Sequence, residues 1–307
     1  MATPIEHFSA KKPQQDEETF KTLELKFDDN YGILWKFIAN HATNYFSIEQ
    51  LNEIRTVQSS VSECRPLPLP NYNPQEVKYL VFGSKLPGIF SLGGDLQLFR
   101  NNIANRDRVG MESYARIATD AVYNHATNSR NVTTFSLVQG TALGGGFEAA
   151  LAGNVVVAER GTRMGFPEVL FGLFPGMGAY TLLRRRVNQS IAEKIILSAN
   201  NYAAEELFEM GIIDLLVDPG EGERAINSYV SRSRNRPGFS AFRKALNRAH
   251  VVDHDELYTI ADEWVNAAMD LPREHLKRFD RLIKRQKNLE SPVSQSKPTI
   301  LNTSARK

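Results

Sequence analysis

Polar and apolar positions alternate from Thr22 to Phe27 (TLELKF), the period of a half-buried strand. Asp28-Asp29-Asn30 is a turn signal, and Gly32 to Ala39 (GILWKFIA) reads as its partner, so a hairpin opens the fold. The period then lengthens. Ile48, Leu51, Ile54, Val57 and Val61 recur at spacings of three and four behind a capping-box pair, Ser47 and Gln50, which predicts a helix. Four prolines between Arg65 and Pro74 make an extended connector, because proline withdraws the donor that a helix or central strand needs. Val77–Gly83 (VKYLVFG) reads as a strand. In the next segment, Phe90–Phe99, paired glycines allow a tight turn and Asp95 caps a following helix. Met111–Thr127 carries Tyr114, Ile117, Ala121 and Val122 on one face and predicts a second, surface helix. Thr133–Gln139 is again a strand. The recurring order of strand, glycine turn and helix is that of an α/β protein with crossover connections.

Beyond Tyr180 the pattern turns helical. Ile191–Leu197 and Ala203–Met210 read as helices, the latter with Gly211 as a C-cap. Ile212–Val217 is a short strand and Pro219–Glu223 a loop. Three further helices are expected at about 240–249, 253–270 and 272–287. The polar stretches 1–18 and 291–307 are read as a disordered arm and tail.

Composition narrows the function. The 307 residues suit one large domain or two modest ones, and a net charge of +2 argues against a dedicated nucleic-acid or membrane-surface protein. One cysteine, Cys64, excludes an internal disulfide framework and a Cys-rich metal site, and its neighbours Glu63 and Arg65 do not make it a nucleophile. His250 and His254 stand at i, i+4 without the acidic partner of a zinc motif, so a surface pair is the simpler reading. No signal peptide and no transmembrane run are expected, and a cytoplasmic home follows.

Chemistry concentrates between Gly140 and Tyr180, which holds ten of the 20 glycines. Glu148 lies inside an apolar helical pattern. Glu168 lies between Pro167 and Val169-Leu170-Phe171. A carboxylate so placed loses solvation, and its pKa rises toward values useful in acid–base work. The apolar run Asn154–Ala158 (NVVVA) between the two acids reads as a buried strand that could fold Glu168 back over Glu148. The two glycine turns, Gly93-Gly94 and Gly144-Gly145-Gly146, could each aim a backbone amide at the oxygen of a thioester becoming an enolate or tetrahedral oxyanion. The same glycines could instead serve tight strand–helix packing alone, and the two acids could be a structural ion-paired group and a first-turn helix residue. Neither turn fits a phosphate loop.

Taken together, LGGDL (92–96), VQGTALGGGFEAAL (138–151), MGFPEVLFGLFPGMGAY (164–180) and AAEELFEMGIIDLLV (203–217) resemble, in that order, the motifs of the crotonase (enoyl-CoA hydratase/isomerase) superfamily over about residues 20–290. The resemblance implies an α/β fold: a crotonase-like ββα spiral core over 19–235 and, over 236–290, a C-terminal helical region serving trimerisation and the acyl pocket. By motif, the oxyanion amides fall on Gly94 and Gly145 and the acid–base pair on Glu148 and Glu168. Met177 and Trp264 would line the acyl pocket, although a helical tryptophan is also ordinary core. No metal and no cofactor are expected. Within the superfamily, GGGFEAAL, PEVLF with LFPGMGAY, and Glu263-Trp264-Val265 with Ala268-Met269 are most similar to the diffusible-signal-factor (DSF) synthases.

That resemblance implies dehydration of a 3-hydroxyacyl chain on acyl carrier protein to the cis-2-enoyl thioester. Thioester hydrolysis then releases an unsaturated fatty acid for quorum sensing. It further implies a homotrimer or dimer of trimers and a possible sensor-kinase regulator, with no nucleic acid and no membrane insertion. Arg184-Arg185-Arg186 and the face of Lys277, Arg278, Arg281, Lys284 and Arg285 could form a basic rim for an acidic carrier, or be solvated helix faces. An acyl-CoA hydratase or isomerase, and a non-catalytic binding protein on the same fold, are the competing expectations. Which glutamate acts as acid stays open.

Overall fold

The segment Ile33–Ile38 is buried at every position, Lys36 included, which a strand permits only when both faces of its sheet are covered. The computed structural model describes residues 20–127, 132–234, 236–249 and 251–288; the expected arm at 1–18, the tail at 291–307 and His250 lie outside them. In chain order the strands are β1 (Leu23–Asp28), β2 (Ile33–Ile38), β3 (Tyr79–Ser84), β4 (Ile89–Ser91), β5 (Thr133–Val138), β6 (Thr141–Leu143), β7 (Val155–Glu159), β8 (Arg163–Gly165), β9 (Asn201–Ala203) and β10 (Leu215–Val217). The helices are α1 (Ile48–Glu63), α2 (Leu96–Asn105), α3 (Arg108–Thr127), α4 (Gly145–Leu151), α5 (Ala179–Arg184), α6 (Gln189–Leu197), α7 (Ala204–Glu209), α8 (Gly222–Arg234), α9 (Pro237–Ala249), α10 (His254–Met269) and α11 (Leu276–Asn288).

A six-stranded sheet runs β1-β2-β3-β5-β7-β10 and a four-stranded one β4-β6-β8-β9. The opening hairpin is antiparallel, with Leu23 opposite Ile38, and from β2 onward the large sheet is parallel. Each pass of the chain gives one strand to the large sheet, one to the small sheet, then helix: β3, β4 and α2–α3; β5, β6 and α4; β7, β8 and α5–α6. The sequence carries no sign of the small sheet, because strands of three residues show no period.

One face of the large sheet packs Leu34, Leu80, Phe82 and Val156 against α1 and α3. The other packs Trp35, Phe37, Val81, Phe135 and Val157 under α8, whose Ile226 and Val230 are fully buried. The expected loop at Pro219–Glu223 is thus cut short by a helix whose only deep anchors are one turn apart, too few to stand out in GERAINSYVSRSR.

Three local expectations need correction. Ser47 caps α1 by accepting the Gln50 amide at 3.1 Å, but the Gln50 side chain is buried without a hydrogen bond, so half of the capping box forms. The second surface helix is an inner one: α3 lies between α1, where Gln58 Nε2 donates to Ala121 O at 2.8 Å, and α10, where Tyr258 Oη donates to Asp120 Oδ1 at 2.7 Å. His254 pairs with that same carboxylate at 3.1 Å. Arg186 is not a rim residue. Its guanidinium donates to Asp214 Oδ2 and Ile212 O, both at 2.9 Å, and to Gly153 O at 2.8 Å, while Asp214 Oδ2 also accepts the Val156 amide at 2.7 Å. It fastens the chain after α5 to the ends of α4 and β7.

Arg186→Met strands the half-buried Asp214 and is expected to lower the free energy of unfolding by about 2–3 kcal/mol. Arg184→Met, at an exposed position, is expected to change it by less than about 0.5 kcal/mol. Urea unfolding of both variants checks the contrast.

Candidate active site

The small sheet aligns three strand ends. β4 pairs parallel with β6, Ser91 opposite Ala142, and β6 with β8, Leu143 opposite Gly165. Each strand then runs into its own turn: Leu92–Asp95, Gly144-Gly145 and Phe166–Glu168. The first two turns touch. Gly93 has φ +92°, and a Cβ there would lie 2.9 Å from Leu143 O and 3.2 Å from Gly145 N. A Cβ on Gly146 would lie 2.2 Å from Ser91 O. Close backbone approach therefore demands glycine at 93 and 146. At Gly94 and Gly145 an added Cβ would meet side-chain ends instead, Phe99 Cζ and Met177 Cε, each at 2.5 Å. The packing and ligand-facing explanations of the glycines thus apply to different residues of the same turns. Asp95 caps α2 through Leu98 N at 2.9 Å, as expected, and α4 begins at Gly145.

Glu148 projects from α4 with 0% exposure. Its Oε1 accepts the amides of Met177 at 2.7 Å and Ala179 at 3.0 Å; its Oε2 has no hydrogen bond. Burial pushes its pKa up to about 7, against the pull of those two donors. Glu168 opens a single 3-10 turn, Glu168–Phe171, after β8 rather than an α-helix. It is buried, and its Oε2 is likewise unpaired. Its Oε1 lies where a Cβ on Gly144 would come within 2.4 Å. Burial first, then the charge of Glu148, hold its pKa well above the usual carboxylate range.

Both glutamates, Gly94, Gly145, Met177 and Trp264 line one cleft of about 200 Å³. Trp264 stands edge-on to Phe99 with ring centres 5.1 Å apart, and Gly176 makes room for it, since a Cβ there would lie 2.4 Å from Trp264 Cγ. Three further residues join the site that the sequence does not mark as site residues, Tyr114 reading there only as part of a helix face. Tyr114 Oη, beneath the Gly94 turn, donates to Phe46 O at 2.7 Å and lies 3.4 Å from Asp95 N. Gln286, from α11, donates Nε2 to Gly94 O at 3.1 Å. Asn44 Nδ2 in turn donates to Gln286 O at 3.0 Å. The hint in the sequence was that Gln286 continues the apolar stripe of Phe279 and Ile283, a polar residue on a buried face. On the opposite face Lys277, Arg281, Lys284 and Arg285 are exposed, and Arg285 also borders the cleft.

Among the described residues no group of three or more His, Cys, Asp or Glu could hold a metal ion, and no helix is long and apolar enough to cross a membrane.

Residues 71–249 match the sequence model of the enoyl-CoA hydratase/isomerase family. Human mitochondrial methylglutaconyl-CoA hydratase is 28% identical over 246 residues, 80% of this chain and 63% of that protein, so less than two thirds of the relative's length is spanned. Among solved structures, human mitochondrial delta3-delta2-enoyl-CoA isomerase superposes with a TM-score of 0.72 at 16% identity, over 88% of this chain and 100% of its own. Pseudomonas aeruginosa DspI superposes with a TM-score of 0.58 at 23% identity, over 89% and 100%. At these identities the structural likeness speaks for the fold alone.

The raised pKa of Glu168 has a consequence for stability. The folded protein holds this proton at pH values where the unfolded chain has released it, so stability is lost as pH rises above the ordinary carboxylate value near 4.5. Glu168→Gln removes the penalty. Its Tm is expected to exceed that of the wild type at pH 8 and to converge with it at about pH 4. Thermal melts across that range test this, and a constant difference at all pH values would contradict it.

Proposed function

The chain belongs to the enoyl-CoA hydratase/isomerase family, and we propose that it removes or adds water, or moves a proton, beside the carbonyl of an acyl thioester. Its α/β fold is the crotonase-like ββα spiral with a C-terminal helical region. The observation that carries the proposal is the placing of two buried carboxyls and two glycine turns around one cleft. The thioester oxygen sits between the Gly94 and Gly145 amides, each worth about 3–4 kcal/mol to a developing oxyanion. That withdrawal of charge acidifies the α-carbon.

The two carboxyls divide the work by environment. Two backbone donors favour the anion of Glu148, whereas Glu168 gains no such pair and feels the charge of Glu148. Glu148 is therefore the base and Glu168 the acid. Glu148 takes the α-proton, the C3–O bond breaks, and the departing hydroxyl takes the Glu168 proton to leave as water.

For the finer reading we favour a DSF synthase. The substrate is 3-hydroxyacyl-acyl carrier protein, the first product the cis-2-enoyl thioester. Water activated by a glutamate then hydrolyses the thioester to a free fatty acid signal, with the same amides holding the oxyanion. The sequence motifs support this, as does the exposed basic face of α11, whose Arg285 borders the cleft and which suits an acidic carrier. A homotrimer, a cytoplasmic location and a sensor-kinase partner belong to this reading. The second reading is a hydratase or isomerase on acyl-CoA, favoured by the names of the curated relatives, which are CoA-thioester hydratases. Two buried carboxyls in a cleft speak against a purely binding role.

Mass spectrometry of purified enzyme with 3-hydroxyacyl thioesters of carrier protein and of CoA separates the readings. Free enoic acid supports the synthase; enoyl thioester alone supports the hydratase. Glu148→Gln and Glu168→Gln are each expected to lower turnover about 10²–10⁴-fold. Near wild-type turnover in either variant would overturn the assignment. Reversing Lys277, Arg281 and Lys284 to Glu is expected to raise KM for the carrier-protein thioester and not for the CoA thioester; equal KM values would make that face a solvated one.

A further inference from the structure

Beneath the cleft, between the large sheet and helices α1 and α3, lies a second cavity. Gly145 and Met177 line both spaces, so the two adjoin. Its walls are mostly apolar, from residues such as Phe46, Ile54, Phe82 and Val122. Against that background stand Lys36 of β2, Gln58 of α1 and His125 of α3. Lys36 is 0% exposed. Its Nζ lies 4.5 Å over the Phe82 ring and makes no hydrogen bond. Gln58 gives its amide nitrogen to Ala121 O, and its Oε1 is unpaired. Interiors rarely tolerate a cation without a partner, and methionine would fill the same volume without the desolvation cost. Burial alone brings the Lys36 ammonium down to about 7, with no carboxylate opposing the effect.

We propose that this cavity receives the far end of the acyl chain and that Lys36 binds a carboxylate carried there, so that the enzyme accepts acyl thioesters ending in an acid. The proposal rests on the reading of Gly94 and Gly145 as the thioester site. It accounts for three features at once: an unpaired donor, an apolar approach that suits a methylene chain, and continuity with the reacting end. The ammonium has three hydrogens. One lies over the Phe82 ring, and the other two are free for the incoming carboxylate and for Gln58 Oε1. Met177 is the partition. The cavity as it stands is about 20 Å³, room for about one water molecule, so the chain enters when the flexible thioether swings off Gly145.

The test is calorimetric titration of the full chain with S-acylpantetheine analogues in which sulfur is replaced by methylene. The analogues form two series of graded length, one methyl-ended and one carboxylate-ended. At one length the carboxylate-ended analogue is expected to bind at least about tenfold tighter than its methyl-ended partner, a difference of about 1.4 kcal/mol. Lys36→Met and Lys36→Leu are expected to abolish that preference while raising Tm, because a buried ammonium is removed. If methyl-ended analogues bind as tightly at every length, or if the Lys36 variants keep the preference, the assignment of Lys36 falls and the thioester site stands. If neither series binds, the thioester reading of the cleft falls with it. Should the variants not fold, the comparison of the two series on the wild type still decides.

Discussion

Two stretches of backbone touch where no side chain can come between them, and the rest of the site is arranged around that contact. Gly93 meets Leu143 O and Gly145 N, and Gly146 meets Ser91 O. The contact exists because β4, β6 and β8 pair in parallel and end at one level. Short as they are, these strands set where the second turn delivers Glu148 and where the third delivers Glu168. The large sheet supports them from below, with a strand pair in each pass of the spiral holding its small-sheet partner in register. Any residue larger than glycine at 93 or 146 would push the two turns apart.

The same closeness removes water, and removal of water is what gives the carboxyls their chemistry. Both are buried, both have an unpaired Oε2, and both have raised pKa values. Native interiors satisfy nearly all their polar atoms, so unsatisfied ones that gather in one place mark a site prepared for something else to bind. Among those here are Glu148 and Glu168 in the cleft, and Lys36 and Gln58 just beneath it. Gly145 and Met177 line both spaces, so the two groups adjoin.

Closure of the cleft falls to the C-terminal helices. Trp264 of α10 packs on Phe99 and over Gly176, and Gln286 of α11 holds the carbonyl of Gly94. The buried side of α11 therefore steadies the Gly94 turn while its outer side presents the basic residues.

Local chemistry was enough to determine much of this from the sequence. The period of two at Thr22–Phe27, the caps at Ser47 and Asp95, and the apolar settings of Glu148 and Glu168 are short-range signals, and hairpin, helices and buried acids follow from them. What lay beyond the sequence was long-range. The three-residue strands carry no period, α8 shows two anchors in thirteen residues, and Arg186 reads like its neighbours until Asp214 is placed beside it. Gln286 reaches Gly94 across 192 residues, and Lys36 looks like the polar member of an alternating strand until the helices cover both faces of its sheet. Propensity and patterning act between neighbours along the chain, whereas desolvation and hydrogen bonding across the cleft depend on which segments meet, and that is decided only when the spiral closes.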